Sequence, residues 1–337
     1  MRIKNKRVFV TGGAGFIGSH IVESLLKNGA ESIIIYDNFS SGHMDNIKNV
    51  SNDDRVEVVR GDILDIKLLK ERMEGADIVS HQAAELEVST GIQNMHHDME
   101  INIEGTLNVL KCAMESQVKK FIFASSGALY GQAVDIPEDE RHPLNPHWPY
   151  GVSKLAGEKY CSMVWNLHGF PTVSLRYAIV YGPREWYGRV LTLFIKRCLE
   201  NLPPVVFGDG KQTRDFVFVS DVVNAHNMAI ENDDANGKVF NIGSGVETTI
   251  DELAKTVVSI VNPNVKILHD DPKEGQESKH QPGRQRLLGE LRRFVMDIKQ
   301  AKEILGYSPL VSLEHGIKME LDWIKNNPEK WDVRPRV

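Results

Sequence analysis

Apolar residues in this chain gather in short runs, each followed by a stretch in which they recur every three or four positions. The runs are Val8 to Val10, Ser32 to Tyr36, Val56 to Val59, Ala76 to Ser80, Phe121 to Ala124 and Thr172 to Arg176. Between them, Ile17, Ile21, Val22, Leu25 and Leu26 share one helical face, and Ile101 to Met114 repeats the spacing. Strands that are apolar on both faces and separated by helices imply a parallel sheet covered on both sides. The expected class is therefore α/β with a doubly wound parallel sheet. Beyond residue 180 the pattern breaks up into short strands at Val205 to Phe207, Phe216 to Val219 and Val239 to Ile242, a helix at Ile250 to Val261, and final helices around Gln300 to Leu305 and Leu313 to Ile324. Two domains sharing a cleft are expected. The sheet domain would take residues 1–180 plus about 214–243, and a smaller mixed α/β substrate domain about 181–213 plus 244–337.

In such sheets, ligands sit at the carboxyl ends of the strands. There the first run breaks into Gly12, Gly15 and Gly18 within VFVTGGAGFIGSH, and the first helix begins. A tight strand-to-helix turn needs positive φ, and a pyrophosphate needs close backbone approach and the unpaired N–H groups of a helix N-terminus. The triplet alone also fits a turn that holds nothing. Asp37 closes the second run 19 residues after Gly18. A carboxylate there accepts both ribose hydroxyls of NAD and repels a 2′-phosphate, so a Rossmann-type unit holding NAD rather than NADP is expected. Asp62, just past the third run, could accept from an adenine amino group or cap a helix. In His81-Gln82-Ala83-Ala84 the small residues would let a cofactor lie close. His81 has no His, Cys or acidic partner at metal spacing and is expected to be packed or hydrogen-bonded.

The run at 121–124 ends in Ser125 and Ser126, which would reach the same edge as the glycine turn. Residues 132–149, with Pro137, Pro143, Pro146 and Pro149, read as a surface loop. A helix then starts at Tyr150-Gly151-Val152-Ser153-Lys154, with Pro149 suited to its first turn and the Tyr and Lys side chains on one face. An ammonium beside a phenol favours the phenolate, drawing its pKa from about 10 toward the range of a general base. An ordinary amphipathic helix also carries such a pair by accident.

Composition narrows the rest. The 337 residues include 40 Lys and Arg against 46 Asp and Glu, a formal charge of −6, which offers no basic field for nucleic acid. No window of about 18 apolar residues suits a membrane span. Cys112, Cys161 and Cys198 are odd in number and far apart, suggesting neither a disulfide framework nor a zinc site, and no metal is expected. With no signal-peptide pattern, a cytoplasmic setting is expected.

Taken together, TGGAGFIGSH, Asp37, Asp62 in GDI, HQAA, the Ser-Ser to Tyr-Gly segment, YGVSK and GDGKQTRDFVFVSDV resemble the extended short-chain dehydrogenase/reductase superfamily. Within it the chain is most similar to the NAD-dependent nucleotide-sugar epimerase/dehydratase family, from about residue 6 to 325. The resemblance implies cofactor contacts from Gly12, Gly15, Phe16, Ile17, Gly18, Asp37, Asp62, Ile63, Ala83, Tyr150 and Lys154. It makes Ser126, four positions before Tyr130-Gly131, a catalytic partner of Tyr150 and Lys154. It assigns Arg214 to the nucleotide diphosphate, where the alternative is a surface salt bridge with Asp215 or Asp209. It assigns Arg286, shortly before Gly289-Glu290, to the same diphosphate, and gives Phe294, three residues before Asp297, control over N-acetylhexosamine entry.

Departures from the family pattern separate its branches. The 4,6-dehydratases carry Asp-Glu directly after the hydroxyl residue, where this chain has Gly127-Ala128, so water elimination is disfavoured. Uronate-handling members often read T-V-Y-G-P-R-Q-R, and this chain reads Ile179-Val180-Tyr181-Gly182-Pro183-Arg184-Glu185-Trp186. Trp186 replaces the later Arg and Glu185 would repel a carboxylate, favouring a neutral hexose. Ile179 stands where galactose-type members place an Asn. The expected activity is C4 epimerisation of a UDP-hexose, UDP-glucose or UDP-galactose, through a 4-keto intermediate. UDP-uronate 4-epimerisation or decarboxylation and other nucleotide-sugar redox chemistry stay open. So does a non-catalytic NAD sensor, which would not need Ser126, Tyr150 and Lys154 together. A homodimer formed through helices near the catalytic one is also implied.

Overall fold

The computed structural model describes residues 1–185 and 188–328. Strands β1 (Arg7–Thr11), β2 (Ser32–Asp37), β3 (Val56–Arg60), β4 (Ile78–His81), β5 (Lys120–Ser126) and β6 (Thr172–Tyr177) form the expected core. Short strands β7 (Ile179–Tyr181), β8 (Val205–Phe207), β9 (Thr213–Arg214), β10 (Phe216–Phe218), β11 (Val239–Ile242), β12 (Thr248–Thr249) and β13 (Leu268–Asp270) follow. Among the described residues, seven strands make one sheet in the order β11-β6-β5-β4-β1-β2-β3, every pair parallel. Its register sets Thr11 opposite His81 and Ser126 opposite Tyr177, so the ends of β1, β4, β5 and β6 line one edge. β7 pairs with β10, β8 with β13 and β9 with β12 in three separate two-stranded ribbons.

The helices are α1 (Phe16–Lys27), α2 (Met44–Ile47), α3 (Ile66–Met73), α4 (Val88–Gln93), α5 (Met95–Met99), α6 (Gly105–Glu115), α7 (Pro149–His168), α8 (Val190–Leu199), α9 (Val219–Glu231), α10 (Ile250–Val261) and α11 (Leu313–Asn326). Alternation along β1 sends Val8 and Val10 into one buried cluster and Phe9 into the other, so the sheet is apolar on both faces as its sequence demands. α1 buries Ile21, Val22, Leu25 and Leu26, the predicted stripe. α9, which buries Val222, Ala225 and Ala229, packs beside it, a helix that the broken pattern after residue 180 did not reveal.

Two expectations are corrected. The segment 132–149 is irregular, yet Glu138 is fully buried and His142 and Trp148 nearly so, because this stretch runs back through the fold to Met296. Glu185 is also buried, 1% exposed, and its carboxyl is electrostatically coupled to that of Glu320 on α11, which is 0% exposed. Its charge therefore gives no argument about a sugar carboxylate at the surface of a pocket. Trp186, the other half of that argument, lies outside the described residues.

Glu185 Oε2 and both Glu320 oxygens have no hydrogen-bond partner among the described residues. Burial pushes both carboxyls well above the usual range, and Glu185 raises Glu320 further; Arg189, with Nε 3.8 Å from Glu185, opposes the shift there. A carboxyl raised in the folded state contributes fully below its unfolded pKa of about 4.3 and loses that contribution as pH climbs toward the folded value. Glu320→Gln, which carries no ionisable proton, is therefore expected to gain on the natural protein as pH rises from 5 to 8. Denaturant titrations at the two pH values check this, and a difference independent of pH would refute it.

Candidate active site

The glycine turn is built by close approach. Gly12 has φ +66°, and a Cβ on it would lie 2.7 Å from the amide nitrogen of Ala83. A Cβ on Gly18 would overlap the carbonyl oxygen of Gly12. Gly15 is the N-cap of α1 and has no capping side chain, so the first-turn amides of Phe16 and Ile17 face the mouth of the helix. A cradle that three side chains would fill, at the positive end of a helix, fits a dinucleotide pyrophosphate.

Asp37 closes β2 beside this turn. Its carboxylate accepts from the amides of Ala14 at 2.9 Å and Phe39 at 2.8 Å, one on each oxygen, while burial pushes its pKa up. Each oxygen keeps a lone pair for a ribose hydroxyl. Asp62 accepts from Asn38 Nδ2 and from the Leu64 amide, both at 2.9 Å, and the cap of α3 is instead Asp65. The capping alternative for Asp62 is thus removed. Ile63 is buried against Gly105, and Ala83 meets Gly12 backbone to backbone.

His81 is packed and hydrogen-bonded, as expected. Thr106 Oγ donates to the Asn102 carbonyl at 2.7 Å, so it accepts from His81 Nε2 at 3.0 Å. His81 Nδ1 then accepts from Thr11 Oγ at 2.7 Å, and Thr11 Oγ from the Ala83 amide at 3.3 Å. Burial, with a smaller contribution from Lys154, holds the imidazole pKa down at about 3, so the ring is neutral. The chain of bonds ties the cofactor turn to the helices beneath it.

Pro149 starts α7 and Gly169, at φ +64°, ends it. Within its first turns, Lys154 Nζ lies 5.8 Å from the centroid of the Tyr150 ring, and donates to the Ala124 carbonyl at 2.8 Å. Lys154 is 3% exposed, and burial pushes its pKa down to about 8 against the pull of Asp98. Asp98 in turn accepts from Ser153 Oγ and from Asn102 Nδ2. Asn102 sits in a π-helical turn at Glu100–Glu104 and bonds both backbone groups of Glu85. Sequence reading passed over it, although an Asn inside the apolar spacing of Ile101 to Met114 was the available signal. β5 separates the two serines. Ser126 Oγ accepts from the Ala128 amide at 3.1 Å, leaving its proton to donate toward the cleft. Ser125 does not share that role: its Oγ turns to Glu158 at 2.9 Å, in a buried set with Arg176.

Glu290 joins the two arginines that the resemblance assigns to a diphosphate. It lies 4.0 Å from Arg214 Nη2 and 3.1 Å from Arg286 Nε. Arg214 also donates to the carbonyls of Thr213 and Leu291, whereas Asp209 pairs with Arg292 and Asp215 with Ser244, so neither proposed salt bridge of Arg214 forms. Phe294 is 4% exposed, and its ring occupies the space that a Cβ on Gly127 would need. The described residues thus hold a glycine cradle at the end of β1, a hydroxyl at the end of β5, a phenol with its ammonium at the start of α7, and two guanidiniums that meet at Glu290.

A sequence profile of the NAD dependent epimerase/dehydratase family matches residues 8–243. The chain belongs to that family. It is 35% identical over 328 residues to the UDP-glucose 4-epimerase of Mycolicibacterium smegmatis, covering 96% of this chain and all of the relative. Its fold is similar to that of the Thermotoga maritima UDP-glucose 4-epimerase solved with UDP-glucose, with TM-score 0.85, 34% identity, and 96% and 99% of the two chains covered. It is also similar to Bacillus cereus UDP-glucuronic acid 4-epimerase in complex with UDP-glucuronic acid and NAD, with TM-score 0.85, 32% identity, and 95% and 99% covered. As an epimerase/dehydratase family member the protein is an enzyme that acts on a nucleotide sugar with NAD as cofactor. No helix among the described residues is long and apolar enough to cross a membrane.

Proposed function

We propose that this enzyme epimerises a UDP-hexose, UDP-glucose or UDP-galactose, at C4 through a 4-keto intermediate. One observation carries the choice: Gly127-Ala128 follows Ser126, and Phe294 and Met296 fill the space above Gly127, so no acid or base stands there to expel water. In this reading NAD, when bound, supplies the acceptor and donor of the C4 hydride. Tyr150 takes the proton of the 4-hydroxyl and returns it after the sugar has turned, and Ser126 donates to the same oxygen. The Lys154 ammonium favours the phenolate. Arg214 and Arg286 hold the diphosphate, displacing Glu290 from between them, and so retain the intermediate while the hexose rotates. Residues of the glycine turn, Asp37, Asp62 and Ala83 retain the cofactor. The substrate side would be built by about residues 181–213 and 244–337.

Uronate epimerisation is the second reading. The burial of Glu185 favours it, since that carboxylate no longer stands against a uronate. Incubation with UDP-glucose, UDP-galactose, their N-acetyl forms, UDP-glucuronate and dTDP-glucose, followed by proton NMR, separates the readings. The expected result is interconversion of UDP-glucose and UDP-galactose with no exchange of the C5 proton with solvent. Turnover of UDP-glucuronate alone would overturn it. We further propose a homodimer through α7, whose Val152, Met163 and Leu167 are 50%, 42% and 68% exposed at helical spacing, together with exposed Met95 and Met99 on the neighbouring α5.

A further inference from the structure

Asp98 is 1% exposed, and its two oxygens take neutral donors: Ser153 Oγ on one and Asn102 Nδ2, at 3.0 Å, on the other. Lys154, next to Ser153 on α7, is 3% exposed and donates to a neutral carbonyl, that of Ala124. A buried charge resting on neutral partners is costly unless an opposite charge shares its low-dielectric surroundings. Burial works against the Lys154 ammonium, and Asp98 is the foremost group that favours it. The other titratable groups around Lys154 do not serve as its counter-charge. His81 on β4 is held neutral by burial, and Glu158, one turn further along α7, is taken by Ser125 and Arg176. Cys161 is kept a thiol by burial and by Glu158. On the turns flanking Asp98, His96, Glu100 and Glu104 are exposed, and His97 lies 3.8 Å from Glu85.

The local fold explains how the carboxylate comes to stand there. Asp98 and Asn102 are four residues apart across the start of the π-helical turn, and Asn102 Nδ2 divides its hydrogens between Asp98 and the Glu85 carbonyl, each at 3.0 Å. Gly91 on α4 leaves room, since a Cβ on it would stand 3.3 Å from Asp98 Oδ2. Glu85 directly follows His81-Gln82-Ala83-Ala84, where Ala83 meets Gly12, so Asp98 is fixed at the junction of the glycine turn and the helix of Tyr150.

We propose that Asp98 is a positioning residue for Lys154: its carboxylate sets a fixed negative charge beside the ammonium and, through Ser153, holds the turn of α7 that carries Tyr150 and Lys154. It acts through those residues and takes no proton from the sugar. The inference rests on the reading of Tyr150 as the base, and not on which hexose is turned over. With the carboxylate neutralised, Lys154 gives up its proton at lower pH, and Tyr150 loses the ammonium that favours its phenolate.

The test takes two readings on NAD-loaded protein. One is the alkaline limb of kcat for UDP-galactose, where Lys154 loses its proton; the other, without substrate, is the tyrosinate absorbance that disappears in Tyr150→Phe. Asp98→Asn is expected to move the limb down by about one pH unit and the Tyr150 titration up. In the Lys154→Met background it is expected to change kcat by less than about twofold. Ser153→Ala keeps the charge and cuts its tether, so kcat should fall at least about threefold with the limb in place. Either reading unmoved in Asp98→Asn overturns the proposal, as does an equal loss of kcat with and without Lys154. If Asp98→Asn does not fold, Ser153→Ala decides: a limb displaced by about one pH unit, or an unchanged kcat, overturns the proposal. Natural protein that turns over no hexose defeats the UDP-hexose reading alone, because the phenol titration still judges Asp98.

Discussion

Tyr150→Phe is expected to lower kcat by about 10²–10⁴-fold while leaving bound NAD and KM for the nucleotide sugar nearly unchanged. The substitution removes one oxygen and no packing, and Lys154 stays in place through its bond to the Ala124 carbonyl. What is lost, on the proposed mechanism, is the group that takes the 4-hydroxyl proton, an interaction made in the transition state. The same arrangement sets a pH limit. Lys154, pushed down to about 8 by burial, loses its proton as pH rises through that value and no longer favours the phenolate, so kcat should fall on the alkaline side of about pH 8. Lys154→Met should be slow throughout and lack that limb. Stopped assays of UDP-galactose conversion from pH 6 to 10 would measure both, and a Tyr150→Phe enzyme within about threefold of the natural rate would remove Tyr150 from the reaction.

Gly18→Ala is expected to yield protein that folds but retains no NAD. A methyl group at position 18 overlaps the Gly12 carbonyl, and Gly12 cannot retreat because a Cβ-width away stands the backbone of Ala83, held to Thr11 and through it to His81. The turn must open, and with it the amides of Phe16 and Ile17 lose their aim. The expected loss in NAD affinity is at least about 100-fold, about 2.7 kcal/mol. Gly169→Ala is the control: its φ of +64° strains any side chain, but nothing lies within 4 Å, so it should cost about 1 kcal/mol of stability and no NAD. Release of NAD on denaturation, measured by absorbance against protein, decides the matter. Full NAD occupancy in Gly18→Ala would show that the turn does not hold the pyrophosphate.

The first half of the chain declared itself because its strands are short, apolar and buried on both faces, and because glycines, Asp37, Tyr150 and Lys154 all lie next to strand or helix ends that local pattern can find. Ser125 and Ser126 could not be told apart by type, and strand alternation settles them only once the sheet shows which face meets Glu158. The substrate side was harder to read. Glu138 was assigned to a surface loop because Pro and acidic residues surround it, yet its partners are Val295 and Met296, more than 150 residues away. Glu185 misled in the same manner: an acid in a loop reads as solvated until α11 arrives beside it from residue 320. Local pattern carries propensity and period, whereas burial of a charge depends on which distant segment returns to cover it.

Gly127 has a consequence for how readily this scaffold could change its chemistry. An acid placed at 127 to promote elimination would collide with the ring of Phe294 and the methyl of Met296, in a segment whose Val295 and Met296 amides are fastened to the interior carboxylates of Glu138 and Asp215. A working dehydratase therefore cannot be reached from here by one substitution. At least the opposing ring must shrink in the same step, because an acid at 127 without that change must displace Phe294 and Met296 from where they now pack. The two chemistries are neighbours in sequence, yet on this scaffold they are at least two coordinated substitutions apart.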